Sequence, residues 1–276
     1  MEQILKTMLE NVRAKTPLVH NITNYVTVND VANVLLAAGG SPIMSDDADD
    51  VEDITSICGG LNINIGTLNK NTIPSMFLAG KKANELGHIV LLDPVGAGAS
   101  RLRTDTANRL MREVRFDAVR GNISEIKTLC TGSGTTKGVD ADAVDAVTEA
   151  NLDDGVALVK AFAKQAGCII AVTGAIDLVS DGERCWCIRN GRSEMSRITG
   201  TGCQLSALTT AFLVANPEHK LEAAAAAVCM MGLAGEIGWA NMQPGDGNST
   251  YRNRIIDAIF NMTGDALEEG AKYELR

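Results

Sequence analysis

The residues best suited to chemistry lie in four short segments. In Thr199-Gly200-Thr201-Gly202-Cys203 small residues permit a tight turn, and a helical pattern follows at once. Free N–H groups and the positive dipole end of such a helix face whatever lies before it, which makes an anion hole. A bare G-x-G also serves packing alone in many strand-to-helix turns, so its spacing leaves both readings open. In Asp93-Pro94-Val95-Gly96-Ala97-Gly98 a carboxylate follows the apolar run HIVLL and precedes a glycine-rich loop expected to be mobile. Asp93 suits a metal or its water shell, or else caps a turn that Pro94 fixes. Arg120-Gly121-Asn122-Ile123-Ser124-Glu125 puts a cation, an amide and a carboxylate close together; the plainer reading is helix capping, with Asn122 as N-cap and Glu125 three residues on. Val172-Thr173-Gly174 ends an apolar run with a hydroxyl and a glycine, which alone means little.

These segments need a scaffold, and the apolar pattern supplies one. Short apolar runs ending in Gly, Asp, Asn or Thr alternate with stretches of helical period, as βα units of a mostly parallel sheet do. Strands are expected at 18–21, 42–44, 60–65, 89–92, 118–120 and 169–172, and helices at 28–38, 74–86, 104–114 and 155–166. Pro74 suits a first helical position. Residues 176–180 and 184–189 flank Asp181-Gly182, a two-residue hairpin signal, so an antiparallel pair is expected at one sheet edge. Two further helices follow: 199–215 behind the Gly-rich turn, and the Ala-rich 221–240. Ligands of an open α/β sheet bind beyond the carboxyl ends of its strands, where all four segments fall.

Composition narrows the partners. With 276 residues and 45% hydrophobic content the chain can bury a large core, and one domain over 1–276 is expected, with a polar, acidic surface excursion over 131–154. Thirty-four acidic against 25 basic residues, a formal charge of -9, provide no basic field for nucleic acid or an anionic membrane. A small molecule fits better, and an anionic nucleotide remains compatible through local N–H groups, a metal ion and an arginine. The first helix pattern, with Ile4, Met8, Leu9 and Val12 on one face, has no signal-peptide character, so a cytoplasmic location is expected. Seven scattered cysteines fit a reducing compartment, with most of them buried fillers.

Other notable residues have structural readings. His20, at a strand end, is expected to be a hydrogen-bonded core histidine. The acidic run Asp46-Asp47-Ala48-Asp49-Asp50 is expected to start a helix, and Cys229-Met230-Met231 to sit in the core. By spacing alone Met44 is a packing residue at a strand end.

In this order the segments resemble the ribokinase-like superfamily, in which D-P-V-x-G, N-x-x-E, a T-G strand end and a late G-x-G-D anion hole recur. HNITNYVTVNDVANVLLAAGGSPIMSDDADDVEDI, with GLNINIGTLN, LLDPVGAGAS and RGNISEI after it, is similar more narrowly to hydroxyethylthiazole kinases, from about His20 to Met262. The resemblance implies a three-layer α/β/α fold and transfer of the γ-phosphate of ATP to the primary alcohol of 4-methyl-5-(2-hydroxyethyl)thiazole, in thiamine biosynthesis. It further implies a homotrimer with the thiazole pocket between subunits. Carried over by position, Asn24, Met44, Gly66 and Gly200 would meet the thiazole, and Arg120, Thr173 and Asn122 the nucleotide. Asp93 and Glu125 would orient Mg²⁺, partly through waters. Gly200, Thr201 and Gly202 would receive the phosphoryl charge.

The sequence departs from the superfamily at Cys203, where an aspartate usually takes the hydroxyl proton. Thiazole kinases often carry cysteine there. A helix N-terminus can lower a thiol, so Cys203 is expected to act as a weak base or to position the alcohol. Other readings are a kinase for hydroxymethylpyrimidine or pyridoxal, a nucleotide-dependent dehydratase of damaged nicotinamide cofactors, and a non-catalytic nucleotide-binding regulator.

Overall fold

The structure, a computed structural model, describes residues 3–131 and 146–276. Most of the acidic stretch expected to loop over the surface therefore lies outside the described residues.

Nine strands form one sheet in the order β2-β1-β3-β4-β5-β6-β7-β8-β9. β1 (Leu18–Ile22), β2 (Ser41–Met44), β3 (Gly60–Asn64), β4 (Ile89–Asp93), β5 (Ala118–Asn122) and β6 (Ile169–Thr173) are parallel. β7 (Asp177–Ser180), β8 (Cys185–Ile188) and β9 (Tyr273–Leu275) continue the sheet antiparallel. Helices cover both faces, so the central strands are buried on both sides and read as continuous apolar runs rather than alternating ones. β4, IVLLD, is buried throughout.

One face carries α1 (Ile4–Lys15), α2 (Val28–Ala38), α8 (Thr201–Ala215), α9 (Lys220–Ala240), α10 (Asn248–Asn261) and α11 (Gly264–Gly270). The other carries α3 (Val51–Ile57), α4 (Thr72–Leu86), α5 (Arg101–Glu113), α6 (Ile123–Thr131) and α7 (Leu152–Ala166). α8 is apolar almost all round because it is wedged between sheet and helices: twelve of its residues are buried. By length and composition α9 could cross a membrane, with a mean hydropathy of 1.4, but 78% of that window is buried within the fold.

Three details differ from expectation. α4 starts at Thr72, which puts Pro74 third rather than first; the first four N–H groups of a helix have no internal partner, so proline is harmless there too. Ser180 pairs with Cys185, so the hairpin turn spans 181–184. The Asp181 carboxylate accepts from the N–H groups of Glu183 and Arg184 at 2.9 and 2.8 Å, which stabilises that longer turn. Finally, the hairpin is not the sheet edge: β9 pairs outside β8, with Cys187 opposite Glu274.

Candidate active site

The sheet register brings the four segments to one end. Met44 lies beside Asn21 across β1 and β2, Asn64 beside Asp93 across β3 and β4, and Asn122 beside Thr173 across β5 and β6. The amino end of α8 enters the same space. Gly200 is its N-cap, with φ of 88°, and a Cβ there would approach the γ-methyl of Thr27 to 2.3 Å, so both conformation and contact require glycine. At Gly202 a Cβ would come within 2.5 Å of Arg120 Nη1. The missing side chain lets the guanidinium rest against the first turn of α8, where its charge adds to the helix dipole and to the N–H groups of that turn.

Arg120 is 8% exposed and held from two sides. Nη2 donates to Thr173 Oγ1 at 2.5 Å, and Nη1 stands 3.7 Å from Asp93 Oδ1. Asp93 is fully buried, with Oδ2 accepting from Asn64 Nδ2 and from Ser206 Oγ, each at 2.8 Å. Its Oδ1 accepts no hydrogen bond, and Arg120 Nε donates none. Burial raises the Asp93 carboxyl, against the opposing pull of Arg120, Ser206 and Asn64.

Glu125 fulfils the capping reading and also ties down the loop after Asp93. Its Oε2 accepts from Asn122 N–H at 2.8 Å, and Asn122 Oδ1 accepts from Glu125 N–H at 2.9 Å. Oε1 accepts from Gly96 N–H at 2.7 Å. Burial, and then the charge of Asp93, push Glu125 up to about 7. Two interior carboxyls raised by burial, one with an unused oxygen, form a hard-oxygen donor set that fits Mg²⁺ completed by water.

The loop after Asp93 is a braced turn rather than a loose one. Arg103 donates to the carbonyls of Val95 and Gly66 at 3.3 and 2.7 Å, and Gly98 N–H donates to Thr104 Oγ1 at 2.9 Å. These ties hold Gly96 against Glu125.

On the other side of α8 the expected acceptor residues meet. Asn24 Nδ2 donates to Cys203 Sγ at 3.2 Å and to Asn64 Oδ1 at 3.1 Å, while Gly66 lies so close that a Cβ would be 3.0 Å from Asn24 Cβ. Met44 packs on the small apolar cluster that includes Cys203, Val31 and Leu35. The thiol is not lowered as the helix N-terminus suggested: burial, and then Asp93, raise it, and outweigh the opposing hydrogen bonds and Arg120. Cys203 is therefore a thiol at neutral pH. Tyr25 and Val26, next to Asn24, are 77% and 58% exposed.

His20 has the structural role expected of it. It is buried, Nε2–H donates to the Ser45 carbonyl and Nδ1 accepts from the Thr55 hydroxyl, both at 2.9 Å. A cavity of about 420 Å³ bordered by Asn84, Arg112, Arg115 and Phe116 lies at the amino ends of the strands, away from every group above. The strand-end geometry locates the site better than cavity size does.

Sequence reasoning missed Asn64, Thr27, Ser206 and Arg103. Ser206 was within reach, because it falls three residues after Cys203 and so shares its helix face. Asn62 and Asn64 alternate in an otherwise apolar strand, a pattern that marks buried polar side chains in need of partners.

The Hydroxyethylthiazole kinase family model matches residues 9–265. The chain belongs to the hydroxyethylthiazole kinase family. A hydroxyethylthiazole kinase of Clostridium acetobutylicum is 58% identical over 98% of this chain and 99% of its own length. The solved hydroxyethylthiazole kinase protein of Pyrococcus horikoshii OT3 superposes with a TM-score of 0.88 at 32% identity, covering 99% of both chains. Beyond the thiazole kinase family, the pyridoxal kinase of Staphylococcus aureus, solved with AMP-PCP and pyridoxal, shares the fold with a TM-score of 0.60 at 15% identity, over 94% of this chain and 98% of its own.

Proposed function

We propose that this chain, as one kinase domain, transfers the γ-phosphate of ATP to the primary alcohol of 4-methyl-5-(2-hydroxyethyl)thiazole; its relatives are named hydroxyethylthiazole kinases. The observation that carries the reading is the convergence of Arg120, Asp93, Gly202 and Cys203 on the first turn of α8. Phosphoryl transfer requires little covalent help from protein; it requires alignment and a place for three negative oxygens. Arg120 and the N–H groups of Gly200, Thr201 and Gly202 offer that place. Thr173 and Asn122 flank Arg120 on the nucleotide side. Asp93 and Glu125 would hold Mg²⁺, which when bound neutralises phosphate charge.

The acceptor hydroxyl sits beside Cys203, with Asn24, Met44, Gly66 and Gly200 around the thiazole. A neutral thiol orients the hydroxyl without removing its proton first, which suits a loose transition state in which the alcohol stays protonated until late. Exposed Tyr25 and Val26 next to the pocket support a homotrimer whose neighbouring subunit closes it. The acidic charge balance supports small-molecule partners, and seven scattered cysteines without framework spacing support a cytoplasmic enzyme.

The test is product formation from ATP and Mg²⁺ with hydroxyethylthiazole, hydroxymethylpyrimidine and pyridoxal in parallel, with product mass confirmed. Phosphorylation of the thiazole alone is expected. Turnover on another alcohol alone would move the acceptor assignment, and ATP binding without turnover on any would favour a regulator.

A further inference from the structure

Asn64 has no place in the assignments above, yet it joins the two halves of the site. Its Nδ2 donates to Asp93 Oδ2 at 2.8 Å, and its Oδ1 accepts from Asn24 Nδ2 at 3.1 Å and from Gly66 N–H at 2.9 Å. All of these groups are interior: Asn64 is 1% exposed, Asn24 4% and Asp93 0%. The direction of each bond is forced. The Gly66 N–H can only donate, so Asn64 turns its carbonyl oxygen toward it and its NH₂ group toward Asp93. Its carbonyl oxygen must then face Asn24 and the Gly66 N–H, and only the NH₂ end of Asn24 can answer it. That end also reaches Cys203 Sγ at 3.2 Å. The other end of Asn24 is fixed independently, because its Oδ1 accepts from Thr27 N–H at 3.1 Å and Thr27 Oγ1 at 3.0 Å.

We infer that Asn64 and Thr27 are positioning residues that act through Asn24, whose amide donates to the Cys203 sulfur and so turns the thiol S–H to the acceptor-alcohol side of the site. Both the oxygen and the nitrogen of the Asn24 side-chain amide are committed inside the protein, so Asn24 touches the substrate only through its edge and carbon atoms. With Sγ occupied by a donor from Asn24, the thiol hydrogen turns away from that amide. Asn64 thereby carries one polarity from the phosphate side of the site, at Asp93, to the alcohol side, at Cys203. The inference rests on the reading of Cys203 as the residue beside the acceptor hydroxyl.

Double-mutant cycles with Cys203→Ala test it, reading kcat and KM for each substrate, with melting temperature as a folding check. Asn64→Leu removes the amide at similar volume. Thr27→Val removes one bond to Asn24 and the hydroxyl's own contact with Cys203, keeps the methyl beside Gly200 and breaks no bond to Asp93. Ser206→Ala is the control, since Ser206 holds Asp93 and makes no bond to Asn24. Asn64→Leu and Thr27→Val should each lower kcat, and in the Cys203→Ala background each loss should shrink by more than about threefold. Ser206→Ala should lose the same factor in both backgrounds within about twofold. Equal losses for Asn64→Leu and Thr27→Val in both backgrounds would overturn the inference while leaving the reading of Cys203 intact. An undiminished kcat in Cys203→Ala itself would overturn that reading, and the inference with it. Should Asn64→Leu fail to fold, the Thr27→Val cycle decides alone.

Discussion

Arg120 lies against Gly202, with Nη1 where a side chain at that position would begin: a Cβ would stand 2.5 Å from Nη1 and 3.0 Å from Cζ. The glycine of the anion hole is thus defined by the arginine as much as by the turn. Gly202→Ala should leave the fold in place, since residue 202 sits in the first turn of α8, but push the guanidinium off its seat. A loss in kcat on the order of 10²-fold is expected, the usual cost of misplacing one transition-state donor. Steady-state rates alongside a circular dichroism melt check this; wild-type kcat in a folded variant would detach Arg120 from phosphoryl transfer.

Arg120 also bridges Thr173 and Asp93. Lysine is a point charge without a fork and cannot serve both partners at once. Arg120→Lys should therefore bind ATP more weakly, by about tenfold or more, with a smaller change in KM for the alcohol. Calorimetric titration with ATP and Mg²⁺ measures the first effect, and an unchanged ATP affinity would count against the nucleotide role of Arg120.

Glu125 ties stability to pH. Its carboxyl titrates near 4.5 when unfolded and about 7 when folded, because burial and then Asp93 disfavour its charge. The folded state holds the proton more tightly, so this contribution is complete below pH 4.5 and is lost as pH rises through 7. The loss is up to about 3 kcal/mol. In urea unfolding without divalent cations, Glu125→Gln should flatten the decline between pH 4.5 and about 7, the window those values span. Adding Mg²⁺ should recover stability in the wild type at the alkaline end and much less in the variant. An unchanged pH slope in Glu125→Gln would contradict the raised carboxyl.

Much of this site is legible in the sequence alone. Apolar runs ending in polar residues located the six parallel strands, and the ligand-binding end of a parallel sheet then placed Asp93, Arg120, Thr173 and Gly200 together. Glu125 could not be divided between cap and function from its spacing, because the capping carboxylate also accepts from Gly96 in the loop after Asp93, a contact that only the fold shows. β9 escaped notice because Tyr273–Leu275 is three residues long and takes its strand character from pairing with β8, which no local pattern encodes. The thiol at Cys203 was misjudged in direction for a related reason. A helix N-terminus is visible in sequence, whereas desolvation and a neighbouring carboxylate are properties of the packed site. Asn64 and Thr27 are separated from Cys203 by well over a hundred residues, and their link through Asn24 exists only in the fold.

The most direct test of the central claim, that the acceptor hydroxyl meets the phosphoryl group beside Cys203 at the amino end of α8, is steady-state kinetics of Cys203→Ala with hydroxyethylthiazole. On this account the thiol meets the acceptor and not the nucleotide, so kcat should fall by about tenfold or more while KM for ATP holds within about twofold. Full turnover in the folded variant, or a loss confined to ATP binding, would contradict it.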